Sequence, residues 1–176
     1  DAMLSTNVFE GAKILAGKDG AKPESTFLNG GSIYDYYQTF DGRWVSVSSL
    51  EPKFFADLLK ALELPKTLLK TQLDDIDAQS DLKEKIKEKF LERTWSEWES
   101  VFAKFDACVE LVMDLPEAIE HEHFNARGMI TKIPDSYRGY QKQISSPFKF
   151  SKCKPNYLHI GSELGEHTVM VLKNIG

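Results

Sequence analysis

Apolar positions recur along this chain with two different periods, and the switches between those periods mark out its elements. Near the start, Leu4, Val8, Phe9, Ala12 and Leu15 return at steps of three and four, which places them on one face of a helix. Residues 17–32 break the pattern with Gly17, Gly20, Pro23, Asn29, Gly30 and Gly31, the composition of a linker or mobile loop. A hairpin is predicted next. Residues 34–39 are rich in aromatic side chains, Asp41-Gly42 is a strong turn pair, and residues 44–48 alternate apolar and polar. Helical spacing resumes at Phe54, Phe55, Leu58, Leu59 and Leu62. Pro52 suits the first helical position, where its missing N–H needs no partner, and Pro65 is the expected stop.

The pattern continues with Leu82, Ile86 and Phe90 at four-residue steps, predicting a helix over residues 81–91 with Lys and Glu paired on a solvated face. Thr94 followed by Glu97 has the form of a capping box, opening a helix that turns Trp98, Val101, Phe102 and Phe105 inward. Residues 108–113 form a short apolar run that reads as a buried strand, and Leu115-Pro116-Glu117 starts a helix running toward His121. Residues 129–133, 141–144 and 147–150 read as strands separated by turn residues. A final amphipathic helix after Gly161 carries Val169, Val171 and Leu172 up to Gly176. This alternation implies a mixed α/β (α+β) fold, a small domain with a short sheet flanked by helices and with terminal segments that pack on another domain.

Composition adds mainly exclusions. With 41% hydrophobic and 28% charged residues the chain has the balance of an ordinary globular protein. No apolar run approaches the roughly 18 residues of a membrane-spanning helix, and no basic-then-apolar leader precedes the first helix, so a cytoplasmic location is expected. A net charge of −5 argues against a nucleic-acid surface, which carries a basic excess. Cys108 and Cys153 match no zinc or redox spacing and read as reduced thiols. The chain opens at Asp1 directly into helical spacing, with no initiator Met, and reads as a piece of a longer protein.

Candidate chemistry is sparse. Glu51 sits where a strand ends and a helix begins, a position at which the helix N-terminus favours an ionised carboxylate. On spacing alone the plain reading, an acidic residue at a helix start, is the better one. Gly30-Gly31 can let backbone approach a ligand closely, yet the surrounding sequence lacks the phosphate-loop patterns, so a flexible loop is the competing reading. His121-Glu122-His123 spaces two imidazoles by two rather than four residues, which is wrong for a zinc pair on a helix, and no metal site is expected. His159 and His167 stand alone. The Lys149 region can meet a phosphate or simply face solvent. No nucleophile elbow accompanies any Ser-His-Asp set.

Function is carried by a resemblance. Residues 30–62, reading GGSIYDYYQTFDGRWVSVSSLEPKFFADLLKAL, resemble the central segment of family III CoA-transferases and α-methylacyl-CoA racemases. Phe105-Asp106-Ala107-Cys108-Val109, the run from Glu117-Ala118 through His123 to Ala126-Arg127-Gly128-Met129, and Leu164-Gly165-Glu166-His167-Thr168 are similar to further family stretches, in register. Asp1-Ala2-Met3 resembles the start of the long helix that leaves the family's N-terminal domain.

That resemblance implies a domain plan: residues 1–16 as a helix from an N-terminal large domain, 17–32 as linker, 33–135 as a small α/β domain, and 136–176 as a return segment. It implies an acyl-CoA thioester as substrate and no separate cofactor. As partners it implies the N-terminal half of the same enzyme and an interlocked homodimer of the full-length protein. In racemases of this kind the α-proton of a 2-methylacyl-CoA moves through an enolate between a histidine and an aspartate of the N-terminal half, and neither motif occurs in these 176 residues. The glutamate of the family's L-E-P-x-F motif maps to Glu51, where it supports that histidine by a hydrogen bond. Gly30, Gly31 and Tyr34 are the implied substrate-binding residues. The transferase branch instead forms aspartyl-anhydride and thioester intermediates behind a glycine-rich loop, which here is short, Asn29-Gly30-Gly31-Ser32. A third expectation is a non-catalytic packing and dimerisation unit.

Overall fold

A computed structural model describes residues 2–71, 75–135 and 137–176, and at Ile76 the backbone alone. Asp1, with which the resemblance begins, lies outside the described residues. The chain divides into two compact units, Asp1–Val112 and Met113–Gly176.

In the first unit α1 (Ala2–Thr6) and α2 (Val8–Leu15) precede a three-stranded antiparallel sheet of β1 (Asp35–Gln38), β2 (Trp44–Val47) and β3 (Val109–Leu111), with β2 in the middle. Tyr37 faces Val45, and Val45 faces Leu111. Period-two alternation sends Tyr37, Val45 and Val47 to one side, and all three are buried. The helices α3 (Pro52–Ala61), α4 (Ile76–Phe90) and α5 (Trp95–Phe102) cover that side with Leu58, Leu59, Leu82, Ile86 and Trp98. Burying such a side chain fully contributes about 1.5–3 kcal/mol.

Phe90 is the centre of this core. Its ring stacks on Tyr37 at 5.4 Å and on Phe102 at 5.9 Å, and meets Trp98 edge-on at 5.1 Å. The Trp98 indole N–H donates to the Phe90 carbonyl at 2.9 Å, so the polar end of the largest buried ring is satisfied. The hairpin turn is tied to α5: the Asp41 carboxylate accepts from the Thr39 hydroxyl at 2.6 Å and from the Trp95 N–H at 3.1 Å. Gly42 takes the positive φ of 77° that the turn requires.

The second unit holds α6 (Leu115–Glu120), α7 (Glu122–Ala126), the hairpin β4 (Ile130–Asp135) and β5 (Gly139–Ile144), and α8 (Thr168–Ile175). Its helices bury no residue completely, and Ile133 is its one buried apolar side chain among the described residues.

The fold is the mixed α/β architecture that the periodicity predicts, and the capping box at Thr94/Glu97 and Pro52 in the first turn of α3 stand as expected. Several boundaries differ. The first helix is two, broken at Asn7, and its apolar face is exposed. Helix α3 ends before Pro65: Glu63 adopts φ 56° and the Leu64 N–H returns to the Leu59 carbonyl at 2.8 Å, the bonding of a Schellman stop. Helix α4 starts earlier than residue 81, because Asp75 caps it through the Ala78 N–H. The strand expected over residues 108–113 is a half-buried sheet edge of three residues, and Cys108 lies outside it with φ 48°. The helix from Leu115 breaks at His121, whose extended backbone separates α6 from α7. Residues 147–150 form no strand. There the chain is held instead by the Ser146 N–H donating to the Tyr157 hydroxyl at 2.7 Å.

Candidate functional site

Glu51 is presented by a tight connection between β2 and α3. The Ser48 N–H donates to the Cys108 carbonyl at 2.9 Å, and the hydroxyl of buried Ser49 donates to the Ala107 carbonyl. The Leu50 N–H turns back to the Ser48 carbonyl at 2.9 Å. With its backbone so fixed, Glu51 stands exposed as the N-cap of α3, at φ −72° and ψ 142°. Its carbonyl accepts from the Phe55 N–H, while its carboxylate caps nothing. The carboxylate is therefore open to a partner from outside, beside a helix N-terminus that favours its charge.

The surroundings of Glu51 are charged. Lys53 and Asp106 form an ion pair of 2.5 Å across the connection. Desolvation pushes the Cys108 thiol up from its usual range, and the charges of Glu51, Asp106 and Glu110 add to the shift against the opposing Lys53. A thiol so placed stays protonated near neutrality and is a poor nucleophile. Both cysteines are free.

Gly30, Gly31 and Tyr34 lie on a separately braced segment. The Asn29 side chain donates to the Lys22 carbonyl at 2.8 Å and accepts from the Thr26 N–H at 2.7 Å. The Gly31 N–H reaches the Thr26 carbonyl at 2.9 Å. Gly30 needs its freedom for a φ of 94°, and Gly31 needs it for space, since a Cβ there would lie 2.7 Å from the Thr26 carbonyl oxygen. Ser32 links onward, donating to the Phe27 carbonyl at 2.7 Å and accepting from the Tyr34 N–H at 3.1 Å. Half-buried Tyr34 and Gly30 border a concavity of about 220 Å³ that Leu28, Ser46 and Val47 also line. Gly30 and Gly31 border a second, of about 470 Å³, beside Tyr36, Trp44 and Lys83. Glu51 lines neither.

That α4 braces this segment was not apparent from the sequence. Gln79 and Lys83 of α4 hold it by hydrogen bonds, yet Lys83 sits in a run of alternating Lys and Glu that reads as solvated face.

The remaining polar clusters belong to the second unit. The His121 ring accepts from the His123 N–H at 3.3 Å and both rings pack edge-on against Phe124. His167 meets the Ser162 hydroxyl at 2.8 Å on an exposed loop. Among the described residues no three His, Cys, Asp or Glu side chains gather as a metal site, and no helix is long and apolar enough to cross a membrane.

Known proteins share the sequence and the fold of this chain. Alpha-methylacyl-CoA racemase of Mus musculus is 34% identical over 155 residues, covering 85% of this chain and 38% of that protein. (R)-2-hydroxy-4-methylpentanoate CoA-transferase of Clostridioides difficile is 23% identical over 145 residues, 80% of this chain and 36% of the relative. The chain thus spans well under half the length of these relatives. A CAIB/BAIF family protein from Brucella suis shares the fold, with a TM-score of 0.75 over all of this chain and 46% of that one at 14% identity. CoA-transferase family III matches residues 1–168, and the chain belongs to that family.

Proposed function

We propose that the protein carrying this chain racemises 2-methylacyl-CoA thioesters by moving the α-proton through an enolate. The observation that carries this reading is the 34% identity to an alpha-methylacyl-CoA racemase across 85% of the chain, against 23% to a CoA-transferase. The chemistry needs an acid/base group on each face of the α-carbon and a donor for the enolate oxygen. On this reading those groups lie in the N-terminal half of the full-length protein. Glu51 accepts a hydrogen bond from the catalytic histidine, fixing its tautomer and raising its basicity. Its exposed carboxylate, held on a rigid connection and unused as a cap, supports that role. The thioester is substrate, and no further cofactor is required.

The test is α-deuterium uptake from D₂O into a 2-methylacyl-CoA by the full-length gene product, followed by mass spectrometry. Uptake is expected, and Glu51→Gln should lower kcat about tenfold or more with KM within about twofold. No uptake, with CoA passing instead to a free carboxylic acid, would replace this reading by the transferase one. The Clostridioides difficile relative favours that second reading. A packing role is compatible with either. The exposed apolar faces of α1, α2 and α8 suit contact with the N-terminal half and an interlocked homodimer, which the mass from solution scattering measures.

A further inference from the structure

Three hydrogen-bonding contacts run from one face of α4 to the glycine segment. The Gln79 side-chain carbonyl accepts from the Ile33 N–H at 3.2 Å. One turn later the Lys83 ammonium donates to the Gly30 carbonyl and pairs with Asp35 Oδ2 at 2.7 Å. Positions four apart on a helix face the same way, so Lys83 holds both ends of residues 30–35 while Gln79 holds Ile33 between them. Gln79 is 1% exposed and the Lys83 side chain 21%, so neither contact is a fully solvated one. The other polar groups of the segment are also engaged locally, through Ser32, through Tyr34 and through the Tyr37 hydroxyl, which donates to the Ile33 carbonyl at 3.0 Å.

We infer that Lys83 is a positioning residue for thioester binding, the latch by which α4 sets the Gly30–Tyr34 segment at the edge of its two concavities. An ammonium has three donors on a compact charge. Here it joins a loop carbonyl, a strand carboxylate and its own helix, so removing it frees Gly30 and leaves Asp35 without its cation. Gly30 and Gly31 are the positions with least intrinsic stiffness in the segment, which is where an external latch has most to do. The inference rests on the reading that residues 30–34 face the acyl-CoA.

Lys83→Met tests it in the full-length gene product, beside Lys83→Arg and the control Lys85→Met, which removes a like charge from the exposed face of the same helix. Amide hydrogen exchange by mass spectrometry reads the latch, and KM and kcat of α-deuterium exchange read its use. Lys83→Met is expected to speed exchange of residues 24–33 about tenfold while α3 and β2 stay protected, as for a local opening. KM should rise about tenfold with kcat within about twofold, Lys83→Arg should recover most of both, and Lys85→Met should change neither. Unchanged protection of residues 24–33 in Lys83→Met would overturn the latch. Loosening with KM unmoved would instead overturn the reading that this segment binds the thioester. If Lys83→Met lowers protection everywhere, Asp35→Asn is decisive, since it keeps the lysine and removes one partner. Loosening confined to residues 24–33 supports the latch, and a uniform loss overturns it.

Discussion

The two units of this chain are built from the same kinds of piece, short helices and antiparallel hairpins, and they hold together by different means. In Asp1–Val112 a sheet and three helices close over Phe90 and its aromatic neighbours. In Met113–Gly176 no helix buries a residue completely among the described residues, and the hairpin buries one isoleucine. Secondary structure in the second unit therefore stands on local bonding, caps and turns, with little apolar burial behind it. Short helices of that kind are marginal in water without a packed face. The comparison teaches that stability and candidate chemistry share the first unit, whereas the second offers surface. The largest expected effect follows directly. Phe90→Ala should cost about 3–5 kcal/mol in urea unfolding of the chain, because it leaves a cavity among three rings. Ile133→Ala should leave the same transition within about 1 kcal/mol and show only as faster exchange in β4. Equal losses from the two would erase the contrast.

How far the sequence reveals this depends on which force sets each element. Phe90, Leu82, Ile86, Trp98 and the hairpin were legible because periodic burial organises them, and periodicity is visible in one dimension. The cap at Thr94 was legible because its partner is three residues away. Contacts between distant residues were not. Nothing near Cys108 announces that its carbonyl fixes the turn before Glu51, since that bond spans 60 residues, 108 − 48. Lys83 carries no local mark of its hold on Gly30, 53 residues back. The apolar faces of α1 and α8 have the spacing of buried helices and are exposed in this chain, so periodicity alone does not say what covers them. The place of Glu51 at the head of α3 was legible from local spacing, and the role proposed for it rests on resemblance.

A next, smaller effect asks whether the glycine segment shares the rigidity of the core beside it. Gly31→Ala adds one methyl against the backbone of Thr26, which cannot swing away as a side chain tip would. A cost of about 1–3 kcal/mol is expected, typical of overpacking, with faster exchange of residues 24–33. A neutral outcome would mean that the brace around Asn29 yields easily, and the segment would then belong with the second unit in kind. Matched caps give a finer comparison. Thr94/Glu97 and Asp114/Glu117 are both complete capping boxes, one in each unit. Thr94→Ala should lower the unfolding free energy by about 1 kcal/mol, since α5 carries Trp98 into the core. Asp114→Ala should leave the main transition in place and raise exchange only in α6, which buries nothing.

The smallest effect separates the units by pH. The Thr39 hydroxyl, first, and then the Trp95 N–H hold the Asp41 carboxyl below its usual value of 3.8. A carboxyl depressed in the folded state stabilises it above the unfolded value, and that contribution is lost as pH falls through the folded value. In the second unit the hydrogen bond from Lys142 to Glu120 holds the Lys142 ammonium above its usual 10.5, so its contribution is present at neutral pH and is lost as the pH rises into alkali. Acid should thus loosen the hairpin turn of the first unit, and alkali the Lys142–Glu120 tie of the second. Both groups are exposed, so solvent screens each effect. Asp41→Asn should lower the urea midpoint at pH 7, because a neutral amide accepts the Thr39 and Trp95 bonds more weakly. The gap from the unaltered protein should close as the pH falls below about 3.8, where Asp41 is itself losing its charge. A gap that stays constant down to pH 2 would show that the turn is held by shape rather than by the carboxylate. The bond from the Trp95 backbone N–H to Asp41 would then be a consequence of how α5 packs and not one of its causes.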